Sequence, residues 1–302
     1  VASRGRPRLL LDPPRLERLW RRAAAGDPAW LRLRERCDRR QRGVIEWPDG
    51  NHYPDGGGIG EGYQGSDYLD ALMELGLCYQ VARHGDAARA RGYGKKGAEL
   101  LYKLSEPAGP HAANPLRNSG YPIRFFAVSM ALGYDWFHEA LDPGLKARLA
   151  TALLRWLSAY EQKGFGHEHP QGNYFAGYYA AKGLAALALR DDDPAFTAQW
   201  DDFLTRVHRG FVQPYYAAYL SGGGWPEGWN YGPLAAMNMS LPLWAAPGLL
   251  SGGGPPDGRD ADLALHYRGI IAEGLALSAG LKVRDGRMKE QRSGTVFKDI
   301  HR

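Results

Sequence analysis

Six side chains stand out as able to do chemistry: His167, His169, Asn173, Tyr174, Glu227 and Tyr231. They fall in two stretches, Gly164 to Tyr174 and Ser221 to Pro233. The second stretch is too rich in glycine and proline for an isolated helix and too aromatic for an idle linker. It reads as a shaped loop. Glycine lets backbone approach a ligand, Trp225 and Trp229 offer flat faces to a sugar ring, and Glu227 and Tyr231 each add a polar group. The alternative is a glycine-rich connection whose tryptophans pack on the core. In the first stretch His167 and His169 flank Glu168, which is part of a metal-ligand pattern, but no spacing supplies the remaining ligands, so no metal is expected. Loop histidines of this kind either hold the loop together or meet a substrate.

Paired carboxylates are the other candidate. Asp191-Asp192-Asp193 and Asp201-Asp202 raise the possibility of a glycosidase pair, with Glu227 as one member. The triplet is more simply a helix stop and cap, and the pair a solvated face. No GxSxG elbow, phosphate loop or dinucleotide fingerprint occurs, so no nucleotide cofactor is expected. Arg117 and Arg124 stand close to Asn118 and Tyr121, where they either form ordinary ion pairs or bind an anionic substrate; Tyr63 and Gln64 are candidates for flanking groups.

The elements that must position these residues are helices. Asp12-Pro13, Asp27-Pro28, Asp142-Pro143 and Asp193-Pro194 share one start signal, an aspartate that caps free amides and a proline that suits the first turn. The first helix is expected to stop at Gly26, the second near Arg42, and a third to run from Ser66 to Gly85. Residues 86–104 continue helically despite Gly92, Gly94 and Gly97, which suit close helix approach. A helix over 125–137 is apolar nearly all round and belongs inside, whereas 143–162 is amphipathic. Further helices are expected from Tyr174 to Leu189, over 195–220 with a break near Pro214, over 234–244 and over 263–281. Only Thr295 to Phe297 suggests a strand.

This pattern predicts an all-α fold of about ten to twelve helices, with at most the start of a β region at the C-terminus. Outer amphipathic helices alternating with buried ones suit a ring of antiparallel helix hairpins, and no repeat period favours a solenoid instead. The expected organisation is an incomplete α/α toroid over 1–282 and a tail over 283–302. In such a ring the irregular stretches 55–65, 106–121, 164–174 and 221–233 would gather at one end.

Composition narrows the partners. With 38 Lys and Arg against 33 Asp and Glu the chain nets +5, and its acids are interspersed, which suits a polyanionic substrate and not a nucleic-acid stripe. No run of eighteen apolar residues occurs, so no membrane span is expected. The chain opens at Val1 without a charged and then apolar leader, which suits a processed form. Cys37 and Cys78 match no zinc or redox spacing, and buried thiols or a disulfide remain equally open.

Several patches, taken in order, resemble the heparinase II/III-like polysaccharide lyases. They are Arg6 to Pro13 followed by Ala24, Gly26 to Pro28 and Trp30; Gly133 to Phe137 leading to Leu141-Asp142-Pro143; Gly172-Asn173-Tyr174 with Gly177; and Gly223 to Gly228 with Tyr231. The resemblance implies an α/α toroid followed by a β-sandwich, a secreted or periplasmic location, and β-elimination at a uronic acid without a cofactor. It implies that Asn173, assisted by His169, neutralises the uronate carboxylate and that Tyr231 exchanges protons. Tyr174 stands where some alginate-cleaving relatives have a second histidine, and most of the β region, with a further catalytic residue, is not in this sequence.

The chemistry makes sense of those groups on its own terms. Taking the C5 proton of a uronate adds charge to a group already negative, and preorganised donors that offset it are worth roughly 2.7–4 kcal/mol each. A tyrosine near donors loses its proton more readily and can return one to the leaving O4, a transfer worth about a hundred- to ten-thousand-fold. The expected function is thus a lyase on an acidic polysaccharide. The alternatives are a toroid glycoside hydrolase using Glu227 with an aspartate, and a non-catalytic carbohydrate-binding fragment that lacks a partner domain.

Overall fold

The computed structural model describes residues 5–43, 66–107, 113–219 and 225–246, and every regular element among them is helical. In chain order the α-helices are α1 (Pro13–Ala24), α2 (Pro28–Arg42), α3 (Ser66–Ala82), α4 (Ala87–Leu104), α5 (Ile123–Trp136), α6 (Pro143–Lys163), α7 (Asn173–Leu189), α8 (Pro194–Asp202), α9 (Gln213–Tyr219) and α10 (Gly228–Ala245). The expected helix over 263–281, the strand near Thr295 and the tail over 283–302 lie outside the described residues. So do Tyr63 and Gln64.

All four Asp-Pro starts cap their helices. The Asp12 carboxylate accepts from the Arg15 amide at 2.8 Å, Asp27 from Ala29 at 2.8 Å, Asp142 from Leu145 at 2.8 Å and Asp193 from Ala195 at 2.9 Å. Each bond satisfies one of the amides that the first turn leaves without an intrahelical partner.

The chain divides into two compact units, one of residues Val1–Phe165 with Ala181–Trp200, the other of Gly166–Ala180 with Asp201–Arg302. In the first, α5 is buried on almost every side, as its apolar sequence requires, and it packs against α3, α4 and α6. Phe126 stacks on Trp156 at 4.9 Å between ring centres. A Cβ on Gly97 of α4 would lie 2.5 Å from the Phe137 ring, so only glycine lets these elements come so close.

Two of the sequence patches meet here. The fully buried Asp135 carboxylate accepts from the Arg8 and Leu9 amides and pairs with Arg6 at 2.8 Å, while the Trp136 indole donates to the Leu9 carbonyl. Arg6 also reaches Asp192, and Arg8 reaches Asp191. The aspartate triplet, considered above as a glycosidase pair, instead anchors the N-terminal segment. The cysteine alternatives also resolve: Cys37 of α2 and Cys78 of α3 form a disulfide.

The expected helix over 195–220 changes its winding well before Pro214. Residues Phe203–Val212 form a π-helical segment that buries Phe203, Val207, His208 and Val212. Pro214, which has no amide hydrogen, falls on the second residue of α9, just after α-winding resumes. The Tyr179 hydroxyl and His208 Nδ1 lie 2.8 Å apart beside Phe203.

Candidate active site

The aromatic loop is shorter than its composition suggests. A turn over Trp225 to Glu227 closes with the Gly228 amide on the Trp225 carbonyl at 2.8 Å, and α10 begins at once. Gly228 stands at φ +72°, a conformation strained for any residue with a side chain, which is why helix can start immediately after Pro226 and Glu227. Tyr231 therefore belongs to the first turn of α10, not to a loop, and Pro233 and Pro242 are tolerated inside that helix.

Glu227 occupies the cap position of α10 but makes no capping bond to it. Its carboxylate turns to α7. One oxygen accepts from the Asn173 backbone amide at 2.6 Å, the other from Asn173 Nδ2 at 2.7 Å. The first oxygen also accepts from the Trp225 indole at 3.0 Å. A carboxylate suits the start of α7 because the amides there are short of partners and carry partial positive charge. Glu227 thus caps α7 from 54 residues away.

The consequence is that Asn173 and the start of α10 are held together. Tyr231 lies four residues after Glu227, in the first turn of the helix that Glu227 precedes. Asn173 is 3% exposed, and Tyr231 is half-buried.

The other expected contacts fare differently. Trp225 is only 6% exposed, with its ring edge-on to Tyr216 at 6.2 Å. It packs, and in this conformation offers no platform to a sugar. Glu227 likewise is a three-donor clamp and not an open acid. His167 is half-buried on the turn before α7, and Tyr174 is half-buried on the first turn of α7. His169 is exposed; its ring meets Gln171 at 3.3 Å and bonds to neither Asn173 nor Glu227. The Trp229 side chain lies outside the described part.

Arg117 and Arg124 belong to the first unit. Arg117 is half-buried and opens a tight turn, Arg117–Gly120, in which Asn118 and Ser119 both take positive φ. Arg124 is 2% exposed, its guanidinium 3.8 Å above the Tyr121 ring. That position makes it a core residue stacked on an aromatic face.

Sequence reasoning missed the role of Glu227 as the residue that orients Asn173. It also missed His208, whose only signal was a histidine within an otherwise ordinary amphipathic segment. Among the described residues no group of three or more His, Cys, Asp or Glu side chains is placed to hold a metal ion. No helix among them is long and apolar enough to cross a membrane. No protein-family model matches this chain, and no curated protein matches it either.

Proposed function

We propose that this protein is a polysaccharide lyase that cleaves an acidic, uronate-containing polymer by β-elimination, on an α/α toroid of the heparinase II/III-like kind. One observation carries the reading: Glu227 ties Asn173 to the start of the helix that bears Tyr231, although the two candidate residues are 58 positions apart.

In this reading Tyr231 takes the proton from C5 of the uronate. The electron pair left behind forms the C4–C5 double bond, the C4–O4 bond breaks, and Tyr231 returns a proton to O4. Asn173 donates to the uronate carboxylate as charge builds on it, and Glu227 holds that amide in place so that it need not reorganise. His169, exposed on the adjoining turn, supplies a second donor, and His167 and Tyr174 meet neighbouring sugars. The Cys37–Cys78 disulfide suits an oxidising, secreted or periplasmic location.

The triple engagement of Glu227 favours elimination over hydrolysis by a carboxylate pair. Digestion of hyaluronan, chondroitin, heparan, alginate and bacterial exopolysaccharides, read by the ultraviolet absorbance of a 4,5-unsaturated uronate, is the test. New double bonds with at least one polymer are expected. Folded protein that produces reducing ends without double bonds would be a glycoside hydrolase, and folded protein that binds without turnover would be a carbohydrate-binding fragment.

A further inference from the structure

A cavity of about 210 Å³ opens in the first unit between the ends of α1 and α3 and the beginnings of α2 and α4. It contains none of Asn173, Glu227 or Tyr231. Its floor is alanine and valine, and its walls include Trp20, Trp30, His84 and Tyr93. Trp20 is held by its indole bond to the Gln80 carbonyl at 3.1 Å and by a parallel stack with His84 at 4.3 Å. These two contacts orient the Trp20 ring.

The charge in the cavity is uneven. Arg89 is matched by Asp86 at 2.7 Å and Asp38 at 3.4 Å. Arg34 also lines the cavity and is half-buried; it makes no hydrogen bond or close ion pair among the described residues, although its charge acts on Asp86 and on the Tyr93 hydroxyl. Trp30 and Arg34 are four apart on α2, so an indole and a guanidinium with no carboxylate in hydrogen-bond contact among the described residues stand one helical turn apart. The surroundings reinforce that charge. Residues 13–42 hold ten arginines and four acids, a net of +6 where the whole chain nets +5. A second, more open pocket of about 350 Å³ shares Asp86 and Arg89 with the cavity and is lined further by Asp38, Gln41, Arg42 and Ala88.

We propose that this cavity is a second, non-catalytic binding site for an acidic saccharide, with one sugar ring against Trp30 and its carboxylate or sulfate on Arg34. The aromatic wall recognises the apolar face of the ring, the guanidinium recognises the anion, and the more open pocket at Arg42 carries the next unit of the chain. The volume fits one ring, not a longer buried segment. That the ring is a sugar rests on the lyase reading above; that the site takes an anion beside a flat apolar face does not. Such a site would hold a polymer to the protein through successive cuts, an effect set by effective concentration.

The test is calorimetric titration of the Tyr231→Phe protein with tetrasaccharides of hyaluronan, alginate and heparin, and with maltotetraose as the uncharged control. Binding of an acidic tetrasaccharide is expected to weaken about tenfold with Trp30→Ala and with Arg34→Gln, to survive Trp30→Phe, and to fall with added salt. Maltotetraose should not bind. Equal affinity for the acidic sugars in both cavity variants, with unchanged melting temperature, overturns the proposal, as does equal binding of maltotetraose. Failure of the lyase reading looks different: no polymer yields double bonds, while Trp30-dependent binding of the acidic tetrasaccharides persists.

Discussion

The carboxylate of Glu227 accepts both the backbone and the side-chain amide of Asn173, at 2.6 and 2.7 Å, and so joins the first residue of one helix to the cap position of another. Removing that acceptor takes away two hydrogen bonds at the start of α7. Glu227→Ala should therefore lower stability by about 1.5–3 kcal/mol, the range for charged hydrogen bonds. In the proposed lyase Glu227 acts through Asn173, so Glu227→Gln should lower kcat on an acidic polymer more than it raises KM. Thermal melts and steady-state kinetics on the same preparations check both; a change in KM alone would show that Glu227 meets the substrate itself.

Tyr231→Phe removes one hydroxyl from a half-buried position on the first turn of α10. Turnover, read as unsaturated product, should fall at least about a hundredfold while the circular dichroism spectrum stays unchanged. Residual activity within a few fold of wild type would assign the proton transfer to another group.

The Cys37–Cys78 disulfide closes a 41-residue separation between α2 and α3. A loop of that length constrains the unfolded chain by about 4 kcal/mol in the entropic treatment. Reduction, or Cys37→Ser with Cys78→Ser, should lower the urea midpoint accordingly and leave the helical spectrum intact. Loss of Cys37 should also loosen α2, on which Trp30 and Arg34 stand, so affinity at the proposed saccharide cavity should weaken in parallel.

His138 gives the fold a pH dependence. Burial, then the charges of Arg6 and Lys146, push its imidazolium down to about 4, against partial support from Asp192. The unfolded chain therefore binds this proton more readily. The contribution is fully present above about pH 6.5, declines as pH falls, and is gone near pH 4. Asp192 titrates lower: burial raises it, but the Tyr134 hydroxyl and Arg6 hold it below the usual range. Asp135 is shifted the other way, chiefly by burial, so it opposes part of the acid loss. Urea midpoints between pH 7 and pH 4 should fall less steeply for His138→Gln than for wild type; parallel curves would refute the assignment.

Local rules determined much of this protein without any structure. Asp12, Asp27, Asp142 and Asp193 each meet amides two or three residues away, and a cap of that range is written in adjacent letters. The interior place of α5 follows from its having no polar face. All-helical character is legible for the same reason, since helical hydrogen bonds join near neighbours.

What the sequence did not decide involves distance along the chain. Asn173 and Glu227 are 54 residues apart, Arg6 and Asp135 are 129 apart, and nothing in either neighbourhood announces the other. The start of α10 inside a glycine and tryptophan run contradicts local propensity; it depends on Gly228 and on a carboxylate committed elsewhere. Composition made Trp225 and Arg124 look like substrate contacts, and only packing showed that their flat faces are used inside the fold. Residue type says what a side chain is able to bind. Tertiary structure decides whether the protein has already bound it.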